Sequence, residues 1–129
     1  MASLEFTPVV PTLAGTTFAT TAVTAGSDEY DYIPISASMR TVVVITNSDS
    51  APHTVTFTSQ ADEWGNTGAC MNKAITIGAN KTYITGVWLR NRWAAANTPT
   101  AAAYTCTVSY SAAADMSVAV ITVPNVDKN

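Results

Sequence analysis

A polar–apolar alternation from His53 to Ser59, HTVTFTS, is the clearest signal along the chain. Val55 and Phe57 fall on one face, and Thr54, Thr56 and Thr58 on the other. Period two with β-branched and aromatic residues predicts a half-buried strand. The pattern stops at Gln60, and Asp62, Glu63, Trp64, Gly65, Asn66, Thr67 and Gly68 read as a loop. Ala103 to Tyr110 alternates as well, with Tyr104, Cys106, Val108 and Tyr110 sharing one face. Arg40 to Thr46 differs, because Val42, Val43, Val44 and Ile45 follow one another. Such a run predicts a central strand buried on both faces.

Five further strands complete the set. Thr16–Thr24 and Tyr32–Ser36 precede the valine run. Met71–Ile77 follows, with Ile75 and Ile77 inward, then Thr82–Leu89 and Met116–Val123. Pro34 cannot donate to a ladder, which places its strand at an edge. Gly86 inside Thr82–Leu89 predicts a bulge or a close backbone approach. Arg90–Thr100 reads as a long connection in which Ala94–Ala96 makes one helical turn at most.

About eight short, evenly spaced strands and no convincing helix predict an all-β fold. The expected architecture is an antiparallel β-sandwich or jelly-roll-like barrel with an extended N-terminal arm. Its expected bounds are an arm over 1–15, a sandwich over 16–124 and a polar tail over 125–129. The arm carries Pro8 and Pro11, which favour extended geometry. It also carries Leu4, Phe6, Val9, Val10 and Leu13, too apolar a set to stay free in water. It should dock on this domain or on a neighbour.

At 129 residues the chain fits one domain with a sizeable core. Charged residues are 12% of it, against about 25% for an average domain. Alanine and threonine together supply about a third. Low charge with hydroxyl-rich strands suits a secreted β domain or a subunit covered by its neighbours. A net charge of -3 and the absence of a basic cluster argue against a nucleic-acid partner. No apolar run is long enough to span a bilayer. The N-terminus shows neither a basic n-region nor an h-region, so no signal peptide is expected. Cys70 and Cys106 are read as two buried thiols, with a disulfide as the alternative.

Reactive groups are sparse. His53 stands alone at a strand entrance with no nucleophile elbow, and reads as structural. Cysteine and histidine spacings fit no zinc site. Asp28, Glu29 and Asp31 fit no standard calcium loop and read as a solvated hairpin tip. Asp62 and Glu63 are adjacent, with nothing placing a carboxylate opposite them as glycoside hydrolysis requires. Asn80-Lys81-Thr82 is a sequon of the kind that arises by chance. No catalytic residue, cofactor or metal is expected. Trp64, Trp88, Arg90, Arg92 and Trp93 stand out instead. Trp and Arg are enriched at interface hot spots. Trp88 reads as core. Trp64 and Trp93 could also form a sugar-stacking platform.

From Thr41 onward the chain resembles small structural proteins of tailed bacteriophages. The likeness rests on His53-Thr-Val-Thr-Phe57, Ser59-Gln-Ala-Asp-Glu-Trp-Gly-Asn-Thr-Gly68, Ile84-Thr-Gly-Val-Trp-Leu89 and Val118-Ala-Val-Ile-Thr-Val-Pro124. In look-alikes a basic residue stands where this chain has Asn66. The resemblance implies a head decoration (cement) protein: a non-enzymatic β domain, commonly trimeric, clamping adjacent major capsid subunits on the virion surface. Leu4, Phe6, Val9, Leu13, Trp64, Arg90, Arg92 and Trp93 are then the candidate interface residues. Another virion component, such as a tail or head fibre, and a carbohydrate-binding module are the alternatives.

Overall fold

A computed structural model describes residues 4–23, 31–35, 39–58, 72–88, 93, 95–96 and 104–124. The strands are β1 (Thr21–Ala22), β2 (Asp31–Pro34), β3 (Met39–Asn47), β4 (His53–Phe57), β5 (Lys73–Ile77), β6 (Lys81–Trp88), β7 (Ala95–Ala96), β8 (Tyr104–Tyr110) and β9 (Met116–Pro124). All of them pair antiparallel. One sheet runs β1-β9-β3-β6, and the other runs β2-β8-β4-β5 with β7 beside β8. The chain is an all-β sandwich of two antiparallel sheets.

The core lies between the sheets because each strand turns its apolar period inward. Val55 and Phe57 on β4, Ile77 on β5 and Cys106 and Val108 on β8 meet Val43, Ile45, Trp88, Val118 and Val120 of the other sheet. The valine run is central: β3 pairs with β9 along one side and with β6 along the other. Pro34 sits on β2, the end strand of its sheet.

Two expectations change and a third is narrowed. Of the described residues 16–23, only Thr21–Ala22 form a strand, paired with Ser117–Val118 of β9. High β-propensity does not make a strand where no partner edge is offered. Ala95–Ala96 is not a helical turn but a strand paired with Tyr104–Thr105. Of the two placements expected for the arm, the described residues take the first and dock on their own domain. Glu5 bridges Tyr32 in parallel, and Val9 bridges Ile121. It thus ties the β2 edge of one sheet to the β9 side of the other. Phe6 enters the core between them.

Candidate functional site

The two sides of the sandwich differ. On the arm side, the gap between the sheets is closed by main-chain bonds. Phe6 N donates to the Tyr32 carbonyl at 3.0 Å, and Tyr32 N to the Leu4 carbonyl at 2.8 Å. Val9 N donates to Val120 O at 2.8 Å, and Thr122 N to Val9 O at 2.9 Å. Asp31 fixes the entry. Its Oδ1 accepts from Leu4 N at 3.1 Å, and its Oδ2 from the Tyr110 hydroxyl at 3.1 Å. Asp31 is fully buried, so its expected place at a solvated tip is corrected. Burial raises the Tyr110 phenol above its ordinary range, and the Asp31 charge adds to it.

The opposite side, between the end strands β5 and β6, is an open groove of about 500 Å³. Lys73 and Ile75 form one wall; residues 83–87 of β6, Ile84 and Gly86 among them, form the other. Trp88 and Trp93 close one end. The aromatic order follows from packing. Trp88 stacks on Phe57 at 4.0 Å and 19°. Trp93 meets Trp88 edge-on at 4.7 Å and 88°. The Trp88 indole N–H donates to Thr85 Oγ1 at 3.2 Å. Trp88 is therefore core, as the sequence suggests, and only Trp93 of this pair is half-exposed.

Outer faces differ as strongly. Val43 and Ile45 point into the core, so Val42 and Val44 point out of the four-stranded sheet. Register sets Val42 beside Ile121 and Gly86, and Val44 beside Ala119 and Ile84. Ile84 is 76% exposed and Val123 41%. The middle of that face is an aliphatic patch, with Arg40 beside Val123 at one end and the Thr46–Thr82 hydroxyl pair, 3.1 Å apart, at the other. The other sheet turns Thr54, Thr56, Thr76, Thr107 and Ser109 outward, by the same alternation. Thr54 and Thr76 share a hydroxyl hydrogen bond at 3.2 Å.

One end of the sandwich is fastened by polar side chains. Asn47 Nδ2 donates to the carbonyls of Ala51, Ile77 and Gly78 at 2.9, 3.2 and 3.3 Å. Its Oδ1 accepts from Asp49 N at 2.9 Å. His53 Nδ1 donates to the Ala112 carbonyl at 3.1 Å, and Nε2 lies 2.8 Å from Asp49 Oδ2. The two ring nitrogens thus join the β3–β4 turn to the β8–β9 turn, and Asn47 adds the β5–β6 turn. The hydrogen bond from His53, then that from Ser50 N, holds the Asp49 carboxyl below its ordinary value of 3.8. Its contribution to stability is complete above that value and fades as the pH falls through the lower folded one. Asp49→Asn should therefore melt below the unmodified protein at neutral pH. The two melting temperatures should converge in acid, measured by circular dichroism across a pH series.

The sequence candidates scatter. Leu4 packs on the core edge, Phe6 is inside it, and Val9 is half-buried beneath its bridge. Those three dock on their own domain. Leu13 is wholly exposed. Trp93 lines the groove, whereas Trp64, Arg90 and Arg92 lie outside the described residues, as do Asp62, Glu63 and Cys70. Cys106 is a free thiol buried in the core. Burial pushes its pKa up to about 12, only partly offset by backbone hydrogen bonding at Thr58. At neutral pH it stays protonated and unreactive. Among the described residues, no three His, Cys, Asp or Glu side chains converge as a metal site, and no helix is long and apolar enough to cross a membrane. No local pattern marks Tyr83, Ile84 and Val87; only the end position of β6 leaves them uncovered. Comparison with protein-family models, with curated proteins and with solved structures found no match.

Proposed function

We propose that this chain is a non-catalytic decoration protein of a bacteriophage head. It binds the outer surface of the assembled shell and reinforces contacts between major capsid subunits. The aliphatic outer face of the four-stranded sheet carries this proposal, set against a hydroxyl-covered face on the other sheet. The exposed aliphatic groups of the first face, Ile84 and Val123 above all, gain more from being covered than the hydroxyls of the second. Burying a side chain such as Ile84 against a partner is worth about 1.5–3 kcal/mol. A protein that binds only the expanded lattice stabilises that lattice by mass action. A trimer attached at several points gains affinity without any new type of contact. The sequence resemblance gives the partner, and the low charge and unreactive side chains agree with a role made of contact area.

The test is co-sedimentation of purified protein with expanded heads and with unexpanded proheads. Binding is expected to the former alone. Ile84→Lys should weaken it by about tenfold or more, since 1.4 kcal/mol is a factor of ten. Thr107→Lys, on the hydroxyl face, should leave it unchanged. Equal binding by all three proteins, or none by the unmodified one, would remove the proposal.

A carbohydrate platform is the second possibility, and the aromatic groove is what favours it. Trp88 has spent its faces on Phe57 and Trp93, however. A sugar would have to rest on Trp93 and Tyr83 alone. A glycan array with no signal disposes of it.

A further inference from the structure

Residues 10–20 run exposed between the arm and β1, and a built turn lies within them. Gly15 N donates to the Thr12 carbonyl at 3.0 Å. The Thr12 hydroxyl donates to the Gly15 carbonyl at 3.0 Å, and Thr12 N to Thr16 Oγ1 at 3.0 Å. With the Thr12 proton given away, the Thr16 hydroxyl is the donor in their 3.2 Å contact. Gly15 takes a φ of +96°, which suits glycine. At the tip stands Leu13, with a relative exposure of 110%. Val10 and Phe18 flank it, about half exposed. Turn tips ordinarily carry Gly, Pro, Asn, Asp or Ser. A fixed turn that presents a leucine to water is a preorganised anchor, because little entropy remains to be lost when it docks.

The groove between β5 and β6 is the matching feature. Sheet order puts it on the far side of the molecule: β1 and β6 end one sheet, β2 and β5 the other. Residues 10–20 leave from the β9–β1 side, so a copy cannot fill its own groove. We propose that the Leu13 turn of one copy seats in the β5–β6 groove of the next, in a head-to-tail association that closes into a ring. Residues 10–20 carry no charge, so Lys73 in the groove meets no repulsion.

Area decides in favour of closure. A standard interface takes about 800 Å² and 20–30 residues from each partner, roughly 30 Å² per residue. The donated stretch then contributes roughly 350 Å², too little for a stable pair. In a ring each copy makes two such contacts, roughly 350 Å² each, and the closing contact is intramolecular, so the ring holds where an isolated pair does not. The ring deepens the decoration proposal and rests on it for the expectation of an oligomer, but heads are not needed to test it.

Sedimentation velocity over a concentration series should show one discrete species larger than a dimer, passing to monomer on dilution. Leu13→Asp and Val87→Asp should each be monomeric throughout. Because both side chains are exposed, both variants should melt within about 2 °C of the unmodified protein at dilutions where that protein is itself monomeric, as surface changes usually do. The mixture is the sharper test. Val87→Asp keeps the turn, and Leu13→Asp keeps the groove. Adding unlabelled Val87→Asp to isotope-labelled Leu13→Asp should shift amide resonances of residues 73–88, and adding more Leu13→Asp should not. A monomeric unmodified protein, or a Leu13→Asp variant with the original oligomer, would overturn the ring. So would a mixture without shifts. A monomer that still binds expanded heads would overturn the ring and leave the decoration proposal standing. A variant that stays oligomeric but loses heads would overturn the ring and assign the turn to the shell.

Discussion

Phe57→Ala should lower the unfolding free energy by about 3–5 kcal/mol, the usual cost of emptying a buried phenylalanine site. Phe57 is 1% exposed, and its ring lies under Trp88 of the opposite sheet. It is therefore a joint between layers, and its loss is felt in both. Trp88 would lose the face it rests on, and Trp93 rests in turn on Trp88. Small domains hold only about 5–15 kcal/mol in all. The loss should lower the melting temperature by about 10–20 °C, taking roughly 3–5 °C per kcal/mol for a chain of this size. Urea titration gives the free energy, and an unchanged m-value would confirm that the folded state alone has been weakened. Phe57→Leu keeps much of the volume and should cost less than about 1.5 kcal/mol. Were Phe57→Ala also to cost under about 1 kcal/mol, the inter-sheet stack would not be the centre of this core.

Phe57 is legible in the sequence alone because its strand alternates without interruption, so one face must be inside. Cys106 and Val108 are legible for the same reason, and Pro34 names an edge through its missing donor. The valine run names a central strand, yet nothing in it says that β9 and β6 are the neighbours. Those pairings join residues more than 30 apart, as Val44 with Ile84 and with Ala119. Local pattern carries no such information. The exposure of Ile84 is hidden likewise, since an isoleucine on an end strand and one on a central strand look alike in sequence. Asp31 misleads because a carboxylate near Asp28 and Glu29 suggests water. Its burial depends on Leu4 and Tyr110 arriving from opposite ends of the chain. Leu13 stands out in the sequence only as part of an apolar arm; its turn is a matter of two threonine hydroxyls and one glycine. The groove is not legible at all, because a gap between two sheets belongs to no single segment.

Gly86→Ala should destabilise by about 2–4 kcal/mol, combining backbone strain of about 1–3 kcal/mol with a steric clash. Replacing glycine at an ordinary position has the opposite sign, a gain of about 0.4–1 kcal/mol from a stiffer unfolded chain. Gly86 has a φ of +126°, which a residue with a Cβ resists. An alanine Cβ would lie 2.9 Å from the Thr41 carbonyl oxygen and 3.2 Å from Trp88 Cδ1. Thr41 O is backbone of β3, the central strand, and cannot swing aside as a side chain can. The register between β3 and β6 already slips at this point, between Thr41 and Val42. Gly78 supplies the control: a Cβ there would meet only Lys81 Cγ, at 3.2 Å, on a flexible side chain. Gly78→Ala should stay within about 0.5 kcal/mol of the unmodified protein. Equal melting temperatures for the two variants would show that β6 does not approach β3 so closely. Because Gly86, Val87 and Trp88 also line the groove, a strand displaced by the new methyl should carry that wall with it. In the proposed ring, Gly86→Ala should then lose self-association at temperatures where it remains folded, whereas Gly78→Ala should keep it.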